Sequence, residues 1–338
     1  MKDFNKEIAE NRYIDLASER LGGKVPYAND DFFAAKENLI KSGRGIFVVD
    51  KYTDRGKWMD GWESRRRRTP GHDWCILQLG IPGKIKILDI DTNHFLGNHP
   101  PFASVDALYL AENPSVAEIV SGKMNWVEIL PKSPLAPGSQ NFFEVPSDEI
   151  WTHLRLNIFP DGGLARFKVY GSVFKDWSKV RKDELIDLAA AVNGGKALVC
   201  NDMFFSHMTN LIMPGKGRNM GDGWETKRNR NPNNCDWVIL QLGTRGVVKK
   251  IIVDTLHFKG NYPDTCSIEA CCQAAGKAFD PEKVSWKILL PKVKLEADTE
   301  HIYEHEIALE EPVTHVKLNI YPDGGVSRLR LFGTIDRT

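Results

Sequence analysis

The sequence predicts an all-β protein built of two homologous β-sandwich domains in tandem. Three observations carry this: an internal duplication spanning about half the chain, apolar and polar residues alternating at strand period, and Gly/Pro turn sequences recurring at matching places. The block Asp60-Gly-Trp-Glu-Ser-Arg-Arg-Arg-Arg68 returns as Asp222-Gly-Trp-Glu-Thr-Lys-Arg-Asn-Arg230. Extended to Gly80 and Gly243, fourteen of twenty-one aligned positions are identical, with one inserted residue. A second pair, Trp151 to Gly171 against Val313 to Gly333, aligns without a gap, and most of its substitutions are like for like. A repeat this long is a whole domain, since solenoid repeats run to roughly 20–50 residues.

The repeats run from about Ile14 to Gly171 and from about Ile186 to Gly333, which divides the chain into a first domain over 1–171, a linker over 172–185 and a second domain over 186–338. The openings match as well: Asn29-Asp-Asp-Phe-Phe against Asn201-Asp-Met-Phe-Phe. Ile85-Lys-Ile-Leu-Asp-Ile-Asp91 and Val316-Lys-Leu-Asn-Ile320 alternate as half-buried antiparallel strands do. Val326-Ser-Arg-Leu-Arg-Leu-Phe332 continues the pattern after a turn. Pro160-Asp-Gly-Gly163 and Pro322-Asp-Gly-Gly325 join strands as hairpins, because proline presets φ and glycine accepts positive φ. Short helices are expected over Asp183–Val192 and near Ala34–Ile40. The polar linker Ser172–Arg181 carries Phe174 and Trp177, so it is expected to be packed.

Composition bounds the function. Forty-five basic residues balance forty-five acidic ones, giving a net charge of +0, so no global field draws the chain to nucleic acid or an anionic membrane. The four-arginine run Arg65–Arg68 does not change this, since the copy breaks it with Asn229 and no stacking-aromatic motif accompanies it. The first residues are charged and no run reaches the roughly 18 apolar residues of a membrane span, which predicts a cytoplasmic setting. The six cysteines split one against five between the repeats. Duplication would have copied disulfide pairs, so free thiols are expected.

Three groups of residues can carry chemistry. In the first, glycine between Asp60 and Trp62 reads as a tight loop that holds Asp60 and Glu63 near guanidinium groups. Arg65 and Arg66 can fork onto a carboxylate, and the acidic residues can accept ligand N–H groups. The same block reads equally well as an internal ion-pair network around a buried Trp62. The second group, Asp91-Thr-Asn-His-Phe-Leu-Gly-Asn-His-Pro100 against Asp254-Thr-Leu-His-Phe-Lys-Gly-Asn-Tyr-Pro263, follows a strand into a loop, where scaffolds display functional groups. His94 and His257 read as turn or core histidines. His99 differs, because the copy has Tyr262, and a residue absent from the copy suits a site that one repeat alone retains. In the third group Asp161 and Asp323 read as turn formers to which Arg166 and Arg328 can pair, and His153 and His315 read as structural. No Ser-His-Asp order, P-loop, dinucleotide fingerprint or HExxH pattern is present.

The Asp-Gly-Trp-Glu-(Ser/Thr)-(Arg/Lys)-Arg block, the Asp-Thr-x-His-Phe-x-Gly-Asn stretch and the Pro-Asp-Gly-Gly hairpin, each present twice, resemble the allantoicase (allantoate amidinohydrolase) family over nearly the whole chain. The resemblance implies two jelly-roll β-sandwiches akin to galactose-binding domains. It also implies hydrolysis of allantoate to ureidoglycolate and urea in purine (allantoin) degradation. Allantoate carries a carboxylate and two ureido arms on one carbon, so Glu63 and His99 become the acid/base candidates. Arg65 and Arg66 become carboxylate anchors, and Asp60, Asp91 and Asn98 ligands for the rest of the substrate. The resemblance further implies a homo-oligomer and raises a divalent metal such as Mn²⁺. Asp91, His94 and His99 could offer ligands to such an ion, although no spacing demands one. The rival reading is a tandem β-sandwich module that binds carbohydrate or another small molecule without catalysis, since fold alone does not establish chemistry. In a third reading repeat two is only a structural partner of a catalytic repeat one.

Overall fold

The structure is a computed structural model that describes residues 13–112, 114–274 and 279–337. The chain divides into two compact units, Met1–Phe174 and Lys175–Thr338. Each is a jelly-roll β-sandwich organised around one long bent strand, Asp73–Asp91 in the first and Asp236–Asp254 in the second.

The bend explains how one strand serves both layers. The first half of Asp73–Asp91 pairs with Lys24–Ala28 and Ile150–Phe159, beyond which lie Phe102–Leu108 and Val127–Pro134. Its second half pairs with Gln140–Glu144 and Arg166–Val173, and the latter strand pairs with Ile14–Asp15. The switch falls at Gly80-Ile-Pro-Gly83. A Cβ at Gly80 would lie 2.5 Å from the Leu21 carbonyl oxygen, and one at Gly83 would lie 2.5 Å from that of Ser172. The backbones therefore meet where side chains would keep them apart, and proline removes one ladder donor at the crossing. The second unit repeats the arrangement with Gly243-Thr-Arg-Gly246 at its bend.

Alternation places the core between the layers. In the first unit Leu77, Ile85, Leu88, Ile90, Leu154, Leu156, Phe167 and Val169 are fully buried together with Trp62. Each such side chain contributes roughly 1.5–3 kcal/mol relative to exposure. The second unit buries the matching Trp224, Leu240, Ile251, Val253, Leu318 and Leu329.

The helix expected over Asp183–Val192 is instead a short strand, Ile186–Asp187, followed by a 3-10 turn at Ala191–Asn193. Asp187 Oδ1 accepts from the Ala189 and Leu331 amides, so its side chain ties the backbone to the neighbouring strand and competes with helical bonding. Near Ala34 the helical segment is a 3-10 turn, Lys36–Ile40. An α-helix beyond those expected, Val116–Val120, is closed by a Ser115/Glu118 capping box. After Val173 the Phe174 amide donates to Pro82, and Asp176 caps the turn Trp177–Lys179. Phe174 is 39% exposed, so the linker segment is only half packed. All six cysteines are free.

Candidate active site

The loops that leave the strand ends of the first unit converge on the two-residue strand Trp62–Glu63. It pairs with Gly163–Leu164 on one side and bridges to Ala34 on the other. Trp62 is wholly buried and donates from Nε1 to the Asp30 carbonyl oxygen at 2.8 Å, which fixes the opening loop beside it. Asp30 in turn accepts from Arg65 Nε at 2.7 Å and from the Arg65 amide at 3.2 Å. The hairpin Pro160–Gly163 closes the other side. Gly163 N donates to Asn98 O at 2.8 Å, Asp161 Oδ2 accepts from the Arg67 amide at 2.8 Å, and Gly162, at φ 141°, packs against residues 98–100. Only glycine accepts that backbone region without strain.

Glu63 stands at the centre of this frame. Burial raises its carboxyl above the usual range, and a hydrogen bond from Asn98 Nδ2 to Oε1, at 2.8 Å, partly offsets the rise. Asn98 is exposed, whereas the half-buried His99 beside it has an Nδ1 atom that is out of solvent and without a partner among the described residues. Behind them Asn29 Nδ2 and Arg67 Nη1 both donate to Asp73 Oδ1, at 3.0 and 2.7 Å. Glu63, Asn98 and the Asp30-held Arg65 are thus gathered by one strand end and its flanking loops. Arg66 is exposed and makes no hydrogen bond or ion pair with the described residues.

The remaining sequence candidates are engaged elsewhere. Asp60, expected among the ligands, accepts from Arg166 Nη2 at 2.8 Å and from the Ile46 amide at 3.0 Å. Arg166 therefore pairs with Asp60 rather than with the turn aspartate Asp161, because its outgoing strand faces the Asp60 loop while Asp161 turns back onto the Arg67 amide. The copy repeats the change, with Arg328 on Asp222. Asp91, also expected to meet a ligand, is buried with both oxygens accepting from Arg44 at 2.8 Å. His94 is a turn histidine at φ 68° whose Nε2 lies 3.1 Å from Gly45 O. Asp91, His94 and His99 do not fit a metal centre: the first two are already committed, and among the described residues no group of three or more His, Cys, Asp or Glu side chains is gathered. His153 and His315 are buried, each with Nδ1 in a 2.9 Å hydrogen bond to the hydroxyl of Thr152 or Thr314, and burial lowers both pKa values, that of His315 to about 4.

Sequence reasoning passed over Asn29, Asp30 and Asp73, although the repeated Asn-Asp-x-Phe-Phe opening was their signal. The first unit also holds a cavity of about 280 Å³ lined by His72, Trp74, Ile119, Trp126, Arg155 and Asn157, whose signal in the sequence is His72, where the copy has Asn234. There His72 Nε2 meets Asn157 Oδ1 at 3.3 Å and Asp106 holds Arg155 at 2.9 Å.

Two copied jelly rolls, each presenting a Glu–Asn pair beside a buried Trp at its strand ends, define a duplicated β-sandwich protein with a polar loop site. The allantoicase-repeat family model matches residues 14–174 and 186–336. A probable allantoicase of Burkholderia mallei is 47% identical over 340 residues, covering 100% of this chain and 99% of the relative. A probable allantoicase of Pseudomonas fluorescens SBW25 is 48% identical over 328 residues, covering 96% and 97%. The crystal structure of allantoicase from Saccharomyces cerevisiae superposes with a TM-score of 0.81 at 39% identity, over 98% of this chain and 97% of that one. The chain belongs to the allantoicase family.

Proposed function

We propose that this protein is an allantoicase that hydrolyses allantoate to ureidoglycolate and urea, in purine breakdown, and that the first unit carries the reaction around Glu63. The observation that supports this site is the pairing of a carboxyl raised by burial with Asn98 at 2.8 Å, directly before a histidine that the copy replaces with Tyr262. Release of intact urea breaks the bond between the central carbon and one ureido nitrogen. Glu63, protonated, delivers its proton to that nitrogen, and His99 takes a proton from the water that adds its oxygen to the central carbon. Arg66 and Arg65 take the substrate carboxylate, and the Asn98 amide meets a ureido arm. Asp60 and Asp91 act by holding Arg166 and Arg44, which brace the loops.

Among the described residues no helix is long and apolar enough to cross a membrane. We read the protein as cytoplasmic and homo-oligomeric on its family and its six free thiols. Sedimentation of the full chain checks the second point, a monomer being the contrary result.

Incubating the pure protein with allantoate, with and without added Mn²⁺, should release urea, and Glu63→Gln should reduce turnover by about 10²–10⁴-fold, the usual share of general acid catalysis. Unchanged turnover in a folded Glu63→Gln protein removes Glu63 from the mechanism. No urea under any condition returns the protein to the class of binding modules.

A further inference from the structure

The second unit keeps the frame of the loop site. Trp224 Nε1 donates to Asp202 O at 2.9 Å, Asn261 Nδ2 donates to Glu225 Oε1 at 2.5 Å, and Asp323 Oδ2 accepts from the Asn229 amide at 2.7 Å. One exchange changes its shape. In the first unit Arg67 reaches across that corner to Asp73 at 2.7 Å, and the second Asp73 oxygen is buried without a partner among the described residues. Asn229 stands in its place and is too short to do so. A groove of about 290 Å³ opens instead, lined by Asp202, Lys227, Arg228, Asn229, Arg230 and Asp236.

The charges differ at one aligned position. In the first unit Asp30 pairs with Arg65 and Asp73 with Arg67, while Arg66 and Arg68 form no ion pair with any described residue. In the second, Lys227, Arg228 and Arg230 form no ion pair with any described residue, although Lys227 lies over the Phe204 ring at 5.8 Å. Asp202 spends Oδ1 on the Phe204 and Lys227 amides. Asp236 accepts from Asn201 and Asn234 through Oδ1 alone. The groove therefore offers three unneutralised cations along its rim and carboxylate oxygens within. A simple anion meets the cations but is repelled by Asp236. A ligand with a carboxylate at one end and N–H donors at the other satisfies both. A groove of about 290 Å³ has room for a small ligand of this kind.

We propose that the second unit holds a separate, non-catalytic binding site for a small ureido-type carboxylate, opened by asparagine at position 229. The ligand class is that of the proposed reaction, but the site and its test are independent of turnover.

Hydantoate (ureidoacetate), which has eight non-hydrogen atoms and lacks the second ureido arm, is titrated calorimetrically into the full chain, its variants Asn229→Arg and Arg230→Ala, and acetate serves as control. The expected result is a hydantoate-binding component that weakens at least about tenfold in each variant, the scale of a lost charged hydrogen bond. Acetate should bind at least about tenfold more weakly than hydantoate, and urea release from allantoate should be unaltered in both variants. A hydantoate isotherm indifferent to both substitutions, or acetate binding as well as hydantoate, overturns the proposal. A wild-type protein that shows the variant-sensitive component but releases no urea leaves this site standing and sinks the reaction proposed for the first unit.

Discussion

Asn98 Nδ2 donates to Glu63 Oε1 at 2.8 Å, a hydrogen bond that pulls the half-buried Glu63 carboxyl back down against the rise that burial imposes. Removing the donor leaves burial unopposed. Asn98→Ala should therefore raise the Glu63 pKa further. An acid works while protonated, so the limb on which activity falls with rising pH should move to higher pH. The loss of a ureido contact should at the same time lower kcat/KM by about tenfold. A pH–rate profile of allantoate hydrolysis checks this, and a limb that stays in place or moves to lower pH contradicts it.

Arg166 and Asp60 form a buried pair at 2.8 Å, in which Arg166 also donates to the Asp60 and Ala165 carbonyl oxygens. Arg166→Ala strands a carboxylate and two carbonyl groups in the interior, a loss of about 3–5 kcal/mol. The thermal transition of the first unit should fall well below that of the wild type. Arg66→Ala, by contrast, removes a side chain that no described residue holds, so it should leave the melting temperature alone and raise KM for allantoate. If Arg66→Ala melts early and Arg166→Ala does not, the division between bracing and binding residues is reversed.

The strands were legible because alternation is local: Ile85 to Asp91 shows its period without reference to any partner. The full reach of that strand was not, because the bend at Gly80-Ile-Pro-Gly83 interrupts the period where two backbones approach. The mistaken helix over Asp183–Val192 has a similar origin, since Asp187 bonds to Leu331, 144 residues away, and no local pattern reports that. The loop site was legible as a set of blocks, and Glu63 with Asn98 proved to be a contact across 35 residues. The partners of Asp60 and Asp91 were not legible. Arg166 lies 106 residues from Asp60, and Arg44 belongs to a stretch with no period, so charge pairing across the fold decided both.

Gly163 faces the Phe95 ring so closely that a Cβ would sit 2.0 Å from Cε1, and Gly325 meets Phe258 at 1.9 Å in the same way. Phe95 and Phe258 are both fully buried and have no room to retreat. Gly163→Ala should destabilise the first unit by about 1–3 kcal/mol through overpacking. It should also depress turnover, because Gly163 is the strand partner of Glu63. Gly325→Ala should cost comparable stability in the second unit while leaving allantoate turnover near wild type. Equal losses of activity in the two variants would show that the reaction is not confined to the first unit.

Asp89 is the buried carboxyl that the copy replaces with Ile252. One oxygen accepts from Gln140 Nε2 at 2.7 Å and the other has no partner among the described residues, while Lys168 lies opposite it on the adjacent strand. Burial is the main force raising its pKa to about 7, with the neighbouring Asp91 adding to the rise and Lys168 and Arg44 opposing it. The folded state thus holds a proton that the unfolded chain, with an ordinary aspartate near 3.8, releases earlier. The associated stability is fully present below about pH 4 and is lost as pH rises through about 7. Across that window the loss is on the order of 4 kcal/mol at most, from 1.36 kcal/mol for each pH unit. Asp89→Asn keeps the shape and removes the titration, so its stability relative to wild type should climb between pH 4 and pH 7 and level off above. Urea denaturation of both proteins at a series of pH values measures the difference directly, and a flat difference would show that Asp89 is ionised in the folded protein throughout.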